Sequence, residues 1–201
     1  MQKNKLKLIL ASASPRRKEL LAWSYLPFEI VVSNVEEKTT FIDPSEVVVD
    51  LASQKAISVS ESLDAKSLVI GADTIVVSEG KILGKPDDKE DARMMLQNLS
   101  NKEHDVFTGV CFILGDRKHS FYSKTIVSFE TIDTTLLDHY IDTGESLDKA
   151  GSYGIQGAAL GFIKQINGSY SNVVGLPVNQ VIKELSDFLD VDYKGLNEIF
   201  N

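Results

Sequence analysis

The stretch "LKLILASASPRRKELLAW", residues 6–23, contains the signals around which the rest of the chain is organised. Its first part is an apolar run that predicts a strand, and "KELLAW" at its end predicts the first turns of a helix. Between them, Ser14 is a favourable helix N-cap and Pro15 a favourable first helical residue. The first structural prediction is therefore a strand that leads through a short polar turn into a helix.

The start of this helix carries a local concentration of positive charge. Arg16, Arg17 and Lys18 fall in the first turn, where the helix macrodipole disfavours cations. A polyanion bound there would offset that cost and would meet backbone N–H groups, two guanidinium forks and the hydroxyls of Ser12 and Ser14. The pattern predicts a phosphate site, and the alternative is a basic helix start that is simply solvated.

Length and composition describe an ordinary globular chain of 201 residues, of which 43% are hydrophobic. The net charge of −8 argues against non-specific binding of nucleic acid. The single cysteine, Cys111, excludes an intrachain disulfide or a cysteine metal site and fits a reducing cytoplasm. The N-terminal apolar run is too short for a signal peptide, and no run reaches transmembrane length. We therefore expect a cytoplasmic protein without a membrane partner.

Strand and helix patterns along the chain predict an α/β fold with a mixed sheet. The predicted strands cover residues 28–33, 67–77, 81–86, 105–114, 120–130 and 160–166. The predicted helices cover residues 44–63, a segment beginning at Asp87, and residues 134–141 and 178–189. No long linker interrupts the pattern, so we expect a single domain over residues 1–201, formed as one body or as two closely packed lobes.

Asp73 and Thr74 interrupt the apolar run of residues 67–77, and a buried carboxylate is costly unless it is paired or functional. A two-residue turn after this run would place Lys85 opposite Thr74, and a slip of one residue would place it opposite Asp73. Either register brings Lys85 near Asp73. Asp73 and Lys85 could then form a structural ion pair at a strand end. Alternatively, Asp73 is a general base or metal ligand, and Lys85 beside it binds phosphate.

Other charged side chains also have two interpretations each. Lys55 falls near the apolar stripe of the predicted helix 44–63, where it is either a snorkelling stem or a functional cation. Glu36 and Glu37, on a polar loop, are either solvated charges or a pair that helps to hold a divalent cation. The histidines lack the spacing of metal ligands, and we expect them at the surface: His104, His119 and His139.

The glycine-rich loop "DKAGSYGIQG", residues 148–157, spaces its glycines unlike a Walker loop or a dinucleotide-binding fingerprint. These glycines could let a ligand approach the backbone closely, and the carboxamide of Gln156 could read the edge of a base. The alternative is a tight connection with an exposed glutamine. Taken together, cations, carboxylates and a polar base reader suit a nucleotide polyphosphate.

Several motifs, in order along the chain, resemble those of the Maf-like nucleotide pyrophosphatases. They are "LASASPRRKELL" (10–21), "GADTIVV" (71–77), "GKILGKP" (80–86), "FTGV" (107–110), "TGESLDKAGSYGIQG" (143–157) and "INGSYSNVVGLP" (166–177). The resemblance covers about residues 6–189. It implies a mixed, twisted sheet flanked by helices, as in inosine triphosphatases, with two lobes around a central cleft, and it implies a homodimer.

The resemblance also assigns roles to individual residues. Asp73 would be the catalytic proton acceptor and, with Glu37, a ligand of a divalent metal such as Mg²⁺ or Mn²⁺. Glu36 stands where the family usually has aspartate. The phosphates would be held by Ser12, Ser14, Arg16, Arg17, Lys55 and Lys85. Substrate choice would fall to Arg16, Thr74 and Gln156.

The segment "YGIQG" is similar to the branch of the family that acts on TTP and UTP. The resemblance therefore implies a cytoplasmic pyrophosphatase that converts TTP, UTP or modified pyrimidine nucleotides to the monophosphate and pyrophosphate. The alternative is a nucleotide-binding regulator of septum formation and cell division with little catalysis. A regulator needs the cations and Gln156, whereas only a catalyst needs Asp73 as a base.

Overall fold

The computed structural model describes residues 5–200 and shows a seven-stranded sheet flanked by helices. The strands are β1 (Lys7–Ala11), β2 (Glu29–Ile30), β3 (Ser67–Ser78), β4 (Lys81–Leu83), β5 (Glu103–Leu114), β6 (Arg117–Phe129) and β7 (Ile163–Asn167). Their order in the sheet is β2-β1-β3-β5-β6-β7, with β4 paired to β3. Because β1 runs parallel to β2 and β3 while β4 and β7 run antiparallel to their neighbours, the sheet is mixed, as predicted.

The helices follow the predicted pattern with a few shifts. They are α1 (Pro15–Ala22), α2 (Pro44–Ser60), α3 (Lys89–Leu99), α4 (Thr134–Thr143), α5 (Tyr170–Val174), α6 (Val178–Leu189) and α7 (Tyr193–Phe200). The N-cap of α3 is Asp88 rather than the predicted Asp87, since the Asp88 side chain accepts the Asp91 N–H. Residues 158–162 form a 3-10 helix, so the strand predicted at residues 160–166 begins only at Ile163. No helix within residues 5–200 is long and apolar enough to cross a bilayer.

The opening stretch folds as its local signals predict. β1 pairs with β3 from Lys7 opposite Ser67 to Ala11 opposite Gly71, and its last four residues are buried. The chain then turns, and the Ser14 side chain caps α1. The predicted strand at residues 28–33 is only the two-residue edge strand β2.

Helix α2 packs unusually close to the sheet, and two glycines make this approach possible. A Cβ added at Gly71 in β3 would lie 2.2 Å from the Ala52 carbonyl oxygen, and one at Gly109 in β5 would lie 2.2 Å from that of Val48. Any side chain at either position would therefore push the helix away. The glycines fix the height of α2 over β3, and with it the position of Lys55, one residue before Ala56.

The chain divides into two compact units, each with its own core. Among the described residues, the first unit comprises residues 5–73, 108–122 and 175–200, and the second comprises residues 74–107 and 123–174. One buried apolar cluster of the first unit is formed by Ile9, Ala11, Ala52, Ala56, Val59, Val69, Cys111 and Ile113. The core of the second unit includes Leu96, Leu99, Val127, Phe129, Leu137, Tyr140, Tyr153 and Phe162.

Candidate active site

The turn before α1 is held by its own serine hydroxyls. The Ser14 N–H donates to Ser12 Oγ over 3.1 Å, and the Arg17 N–H donates to Ser14 Oγ over 3.4 Å. The first distance is ordinary for an N–H···O bond, and the second is long. An anion at this helix start could therefore replace the contact between the Arg17 N–H and Ser14 Oγ at small cost, and the phosphate role of Ser12 and Ser14 stays a prediction.

The Arg17 side chain is half-buried and anchored at its base. Its Nε donates to the carbonyl oxygen of Gly175 over 2.8 Å, which fixes the plane of the guanidinium group. Burial lowers the pKa of Arg17, and the neighbouring Asp73 carboxylate partly opposes that change. Arg16 is also half-buried on the same helix turn. The anchoring role of Gly175 was not predicted, although the motif "VVGLP" that contains it was a visible signal.

Lys55 is the centre of a charged cluster, which we call the carboxylate–lysine cluster (Glu37, Lys55 and Asp73). Its Nζ lies 2.5 Å from Asp73 Oδ1 and 2.9 Å from Glu37 Oε2. The side chains of Lys55 and Asp73 are 14% and 12% exposed, whereas that of Glu37 is 42% exposed. The snorkelling interpretation of Lys55 is therefore wrong, because its ammonium is paired with two carboxylates rather than extended into water.

Gln54, next to Lys55 in α2, positions the loop that carries Glu37. Its Nε2 donates to the Lys38 carbonyl oxygen over 2.6 Å, and its Oε1 accepts the Lys38 N–H over 3.3 Å. This two-point contact holds the loop backbone against the helix. Sequence reasoning missed it because a glutamine on an exposed helix face carries no local signal of such a partner.

The hairpin register of the two-residue turn was predicted correctly. The turn residues Glu79 and Gly80 both have positive φ, as a type I′ turn requires, and Ser78 lies opposite Lys81. The ladder ends at Leu83, two residues before Lys85. The approach of Lys85 to Asp73 therefore stays a prediction, and the ammonium that contacts Asp73 Oδ1 is that of Lys55.

Glu37 and Asp73 have the chemistry of a divalent cation site. Two carboxylates that converge on one point suit Mg²⁺, which commonly takes one or two protein carboxylates together with water and substrate phosphates. Within residues 5–200, no group of three or more His, Cys, Asp or Glu residues is placed to hold a metal ion. An ion at Glu37 and Asp73 would therefore take its remaining ligands from water and substrate phosphates. Glu36 points elsewhere, since it pairs with Lys38 over 2.8 Å and is 78% exposed.

The predicted substrate-choice residues Thr74 and Gln156 belong to the second unit, as does Lys85. Thr74 follows Asp73 in β3 and is half-buried, Gln156 is half-buried, and Lys85 is exposed. The Gly151 N–H donates to the Gly84 carbonyl oxygen over 3.0 Å. This bond joins the glycine-rich loop to the segment that carries Lys85.

The surface prediction for the histidines is wrong for His104. Its ring is 3% exposed, hydrogen-bonds through Nε2 with Tyr153 Oη over 2.8 Å, and packs edge-on against Phe129. Burial lowers the pKa of His104 to about 4. The prediction failed because β5 lies inside the sheet with most of its residues buried, so polar residues there are not marked by alternation. His119 is half-buried against Glu184, and His139 is exposed as predicted.

Comparison with known proteins places these features in one family context. The family model described as "Maf-like protein" matches residues 7–188. A "dTTP/UTP pyrophosphatase" of Bacillus anthracis is 49% identical over 189 residues, which cover 93% of this chain and 98% of the relative. One of Bacillus cereus is 50% identical over 192 residues, covering 94% of each chain. Among solved structures, the Ham1 protein of Staphylococcus aureus matches with 14% identity and a TM-score of 0.46, over 61% of this chain and 71% of that one.

Proposed function

The chain belongs to the Maf-like protein family, and from this membership we propose that it is a nucleoside triphosphate pyrophosphatase acting on TTP and UTP. The relatives that share about half of its residues over nearly its whole length carry that activity in their names. The observation that carries the chemistry is the carboxylate–lysine cluster, in which Lys55 Nζ contacts both Asp73 and Glu37.

In the proposed mechanism, Asp73 takes a proton from water while the water oxygen attacks phosphorus. A new phosphorus–oxygen bond forms, the bridge between the α and β phosphates breaks, and the products are the nucleoside monophosphate and pyrophosphate. Lys55 holds the Asp73 carboxylate in place, because its Nζ donates to Oδ1. The substrate's negative charge would be met by Arg16, Arg17, Lys55 and Lys85.

A divalent cation, Mg²⁺ or Mn²⁺, would be held by Glu37 and Asp73. Such an ion supplies charge neutralisation for the phosphates and orients their oxygens. Lys55 Nζ contacts one oxygen of each carboxylate, Oδ1 of Asp73 and Oε2 of Glu37, so the second oxygen of each would be available to the ion.

Base selection would belong to Gln156, with Thr74 and Arg16 as further contributors. Uracil and thymine present an N3–H donor beside an O4 acceptor, which one carboxamide can meet with its own acceptor and donor. Cytosine presents the opposite order at those two atoms. A carboxamide held in one orientation therefore favours TTP and UTP, and modified pyrimidines with the same edge would also be accepted.

We also propose, on the family resemblance, that the protein is a homodimer of the cytoplasm. The alternative role, regulation of septum formation and cell division with little catalysis, requires no base at Asp73. Measuring turnover therefore separates the pyrophosphatase from the regulator.

A panel of nucleotides tests the proposal. Purified protein with Mg²⁺ or Mn²⁺ is incubated with TTP, UTP, CTP, ATP and GTP, and pyrophosphate and orthophosphate are assayed separately. The expected result is one pyrophosphate per monophosphate from TTP and UTP, with slower release from CTP. Release of orthophosphate alone, or binding of TTP without any release, would contradict the proposed reaction.

A further inference from the structure

The glycine-rich loop of the second unit is tied to its surroundings at three positions, residues 151, 153 and 154. The Gly151 N–H donates to the Gly84 carbonyl oxygen, Tyr153 Oη hydrogen-bonds with His104 Nε2, and the Gly154 N–H donates to Tyr140 Oη over 3.2 Å. These ties end two residues before Gln156. The segment that leads into Gln156 is therefore held by contacts with β5, with α4 and with Gly84, which follows β4 in the same unit.

The loop needs this support at Ser152, whose backbone lies in a region that residues other than glycine rarely adopt. Gly151 and Gly157 have φ values of +67° and +95°, and Ser152, which is not a glycine, has a φ of +64°. A residue other than glycine adopts such a φ only when its surroundings hold it there. The side-chain contacts of Tyr153 and Tyr140 supply that constraint immediately after Ser152.

The pair formed by His104 and Tyr153 is not what stability alone would select. Both side chains are at most 5% exposed, and Phe129 packs edge-on against each ring, with centroids 4.8 Å and 4.9 Å away. Within residues 5–200, His104 Nδ1 has no hydrogen-bond partner. An apolar ring in the same place would avoid a buried, unsatisfied polar atom. What the histidine supplies in this place, and an apolar ring would not, is the hydrogen bond to Tyr153.

We propose that His104 and Tyr153 are positioning residues for base selection, because their hydrogen bond fixes the part of the glycine-rich loop from which Gln156 projects. This inference rests on the proposed function, in which Gln156 reads the base. A carboxamide discriminates between uracil and cytosine edges only if its orientation is fixed. A loop that shifts or rocks would present donor and acceptor less selectively, so the loss would appear in base preference.

The substitution Tyr153→Phe tests the proposal because it removes one hydroxyl and keeps the ring. We expect the ratio of kcat/KM for TTP to that for CTP to fall about fivefold, which is the change that the loss of one hydrogen bond produces. Tyr170→Phe is the matched control, since Tyr170 is 42% exposed in the same unit, and it should leave the ratio unchanged. A Tyr153→Phe variant that melts at a lower temperature but keeps the wild-type ratio would overturn the proposal.

Two further variants keep the test decisive. Should Tyr153→Phe fold poorly, the double variant Tyr153→Phe, His104→Phe leaves no buried polar atom in the pair and should regain thermal stability without regaining the TTP preference. In a Gln156→Ala background, Tyr153→Phe should no longer change the ratio, because the residue through which it acts is absent. An unchanged effect in that background would contradict the proposed route.

Failure of the proposed function is distinguishable from failure of this inference. If the wild-type protein releases no pyrophosphate from TTP, or releases it equally from TTP and CTP, the proposed activity or its base preference is wrong. If the wild-type protein shows the preference and Tyr153→Phe keeps it, only the positioning role is wrong.

Discussion

The two units hold their buried polar groups in opposite ways. In the first unit, the ammonium of Lys55 lies between the carboxylates of Asp73 and Glu37, so charge is balanced by charge. In the second unit, burial lowers the pKa of His104 to about 4 and raises that of Tyr153, so their contact is a hydrogen bond between neutral groups. Charged groups thus occur where polyanion chemistry is proposed, and neutral ones where a loop has to keep its shape.

This difference has a physical basis. Ion pairs can be exchanged for a phosphate or a divalent cation, because the incoming charge replaces the partner that is lost. A neutral hydrogen bond inside an aromatic cluster has no charged competitor and changes little when a triphosphate binds. The ion pairs of the first unit are therefore suited to rearrange when a charged ligand binds, whereas the neutral pair of the second unit is suited to keep its structure.

The largest expected effect concerns the carboxylate–lysine cluster of the first unit. Asp73→Asn keeps the shape of the side chain and removes its capacity as a base, so turnover of TTP should fall by roughly 10²–10⁴-fold. Steady-state release of pyrophosphate at saturating metal measures this, and calorimetric titration should show that TTP binding is largely retained. Asp142→Asn is the control, since Asp142 is 79% exposed in its ion pair with Lys89. Wild-type turnover in Asp73→Asn would remove Asp73 from the role of base.

The second effect concerns the neutral pair of His104 and Tyr153, and it is measured by the pH dependence of unfolding. Because the pKa of His104 is about 4 in the folded protein and about 6.5 when unfolded, the unfolded chain binds a proton first as pH falls below 6.5. Stability should therefore decrease from pH 6.5 towards pH 4, by about 3 kcal/mol from this residue. Urea unfolding at several pH values should show a smaller decrease for His104→Phe than for the wild type, while His139→Gln behaves like the wild type. Equal slopes for wild type and His104→Phe would show that His104 is not held neutral.

The third effect follows from removing Lys55, which leaves the carboxylates of Glu37 and Asp73 without the ammonium that lies between them. Lys55→Met should lower the free energy of unfolding by about 2 kcal/mol in the presence of a chelator, less than for a fully buried pair because Glu37 is partly exposed. Added Mg²⁺ should raise the melting temperature of Lys55→Met more than that of the wild type, since the cation no longer competes with the lysine. The same Mg²⁺ response in both proteins would argue against a cation site at Glu37 and Asp73.

The smallest effect concerns the base. Gln156→Ala should lower kcat/KM for TTP and UTP about tenfold, because the base edge loses its hydrogen-bond partner. Activity on CTP should fall less, so the preference among pyrimidines narrows. The three nucleotides have to be compared on one preparation, because partial unfolding would lower all three together.

Local signals predicted the fold well, and long-range packing decided what they missed. Ser14, Pro15 and the positive-φ turn at Glu79 and Gly80 act within a few residues of themselves, so the start of α1 and the hairpin register could be predicted. The contact of Lys55 with Asp73 depends on how closely α2 lies on β3 at Gly71, which periodicity does not reveal. The burial of His104 depends on the place of β5 inside the sheet.

The site residues divide in the same way. The motif resemblance assigned Asp73, Glu37 and Lys55 to one site, and the structure brings these three together. The supports around them, Gln54 on the Lys38 backbone and Gly175 on Arg17, make contacts across long sequence separations. Such contacts carry no spacing pattern that a single sequence could display.

The proposed function assigns the general base to Asp73 in the first unit and the reading of the nucleobase to Gln156 in the second. This assignment is tested by measuring kcat/KM for TTP, UTP and CTP side by side in the wild type, Asp73→Asn and Gln156→Ala. We expect Asp73→Asn to lower all three values by one common factor, whereas Gln156→Ala should lower the values for TTP and UTP more than that for CTP. A change of base preference in Asp73→Asn, or a uniform loss in Gln156→Ala, would contradict it.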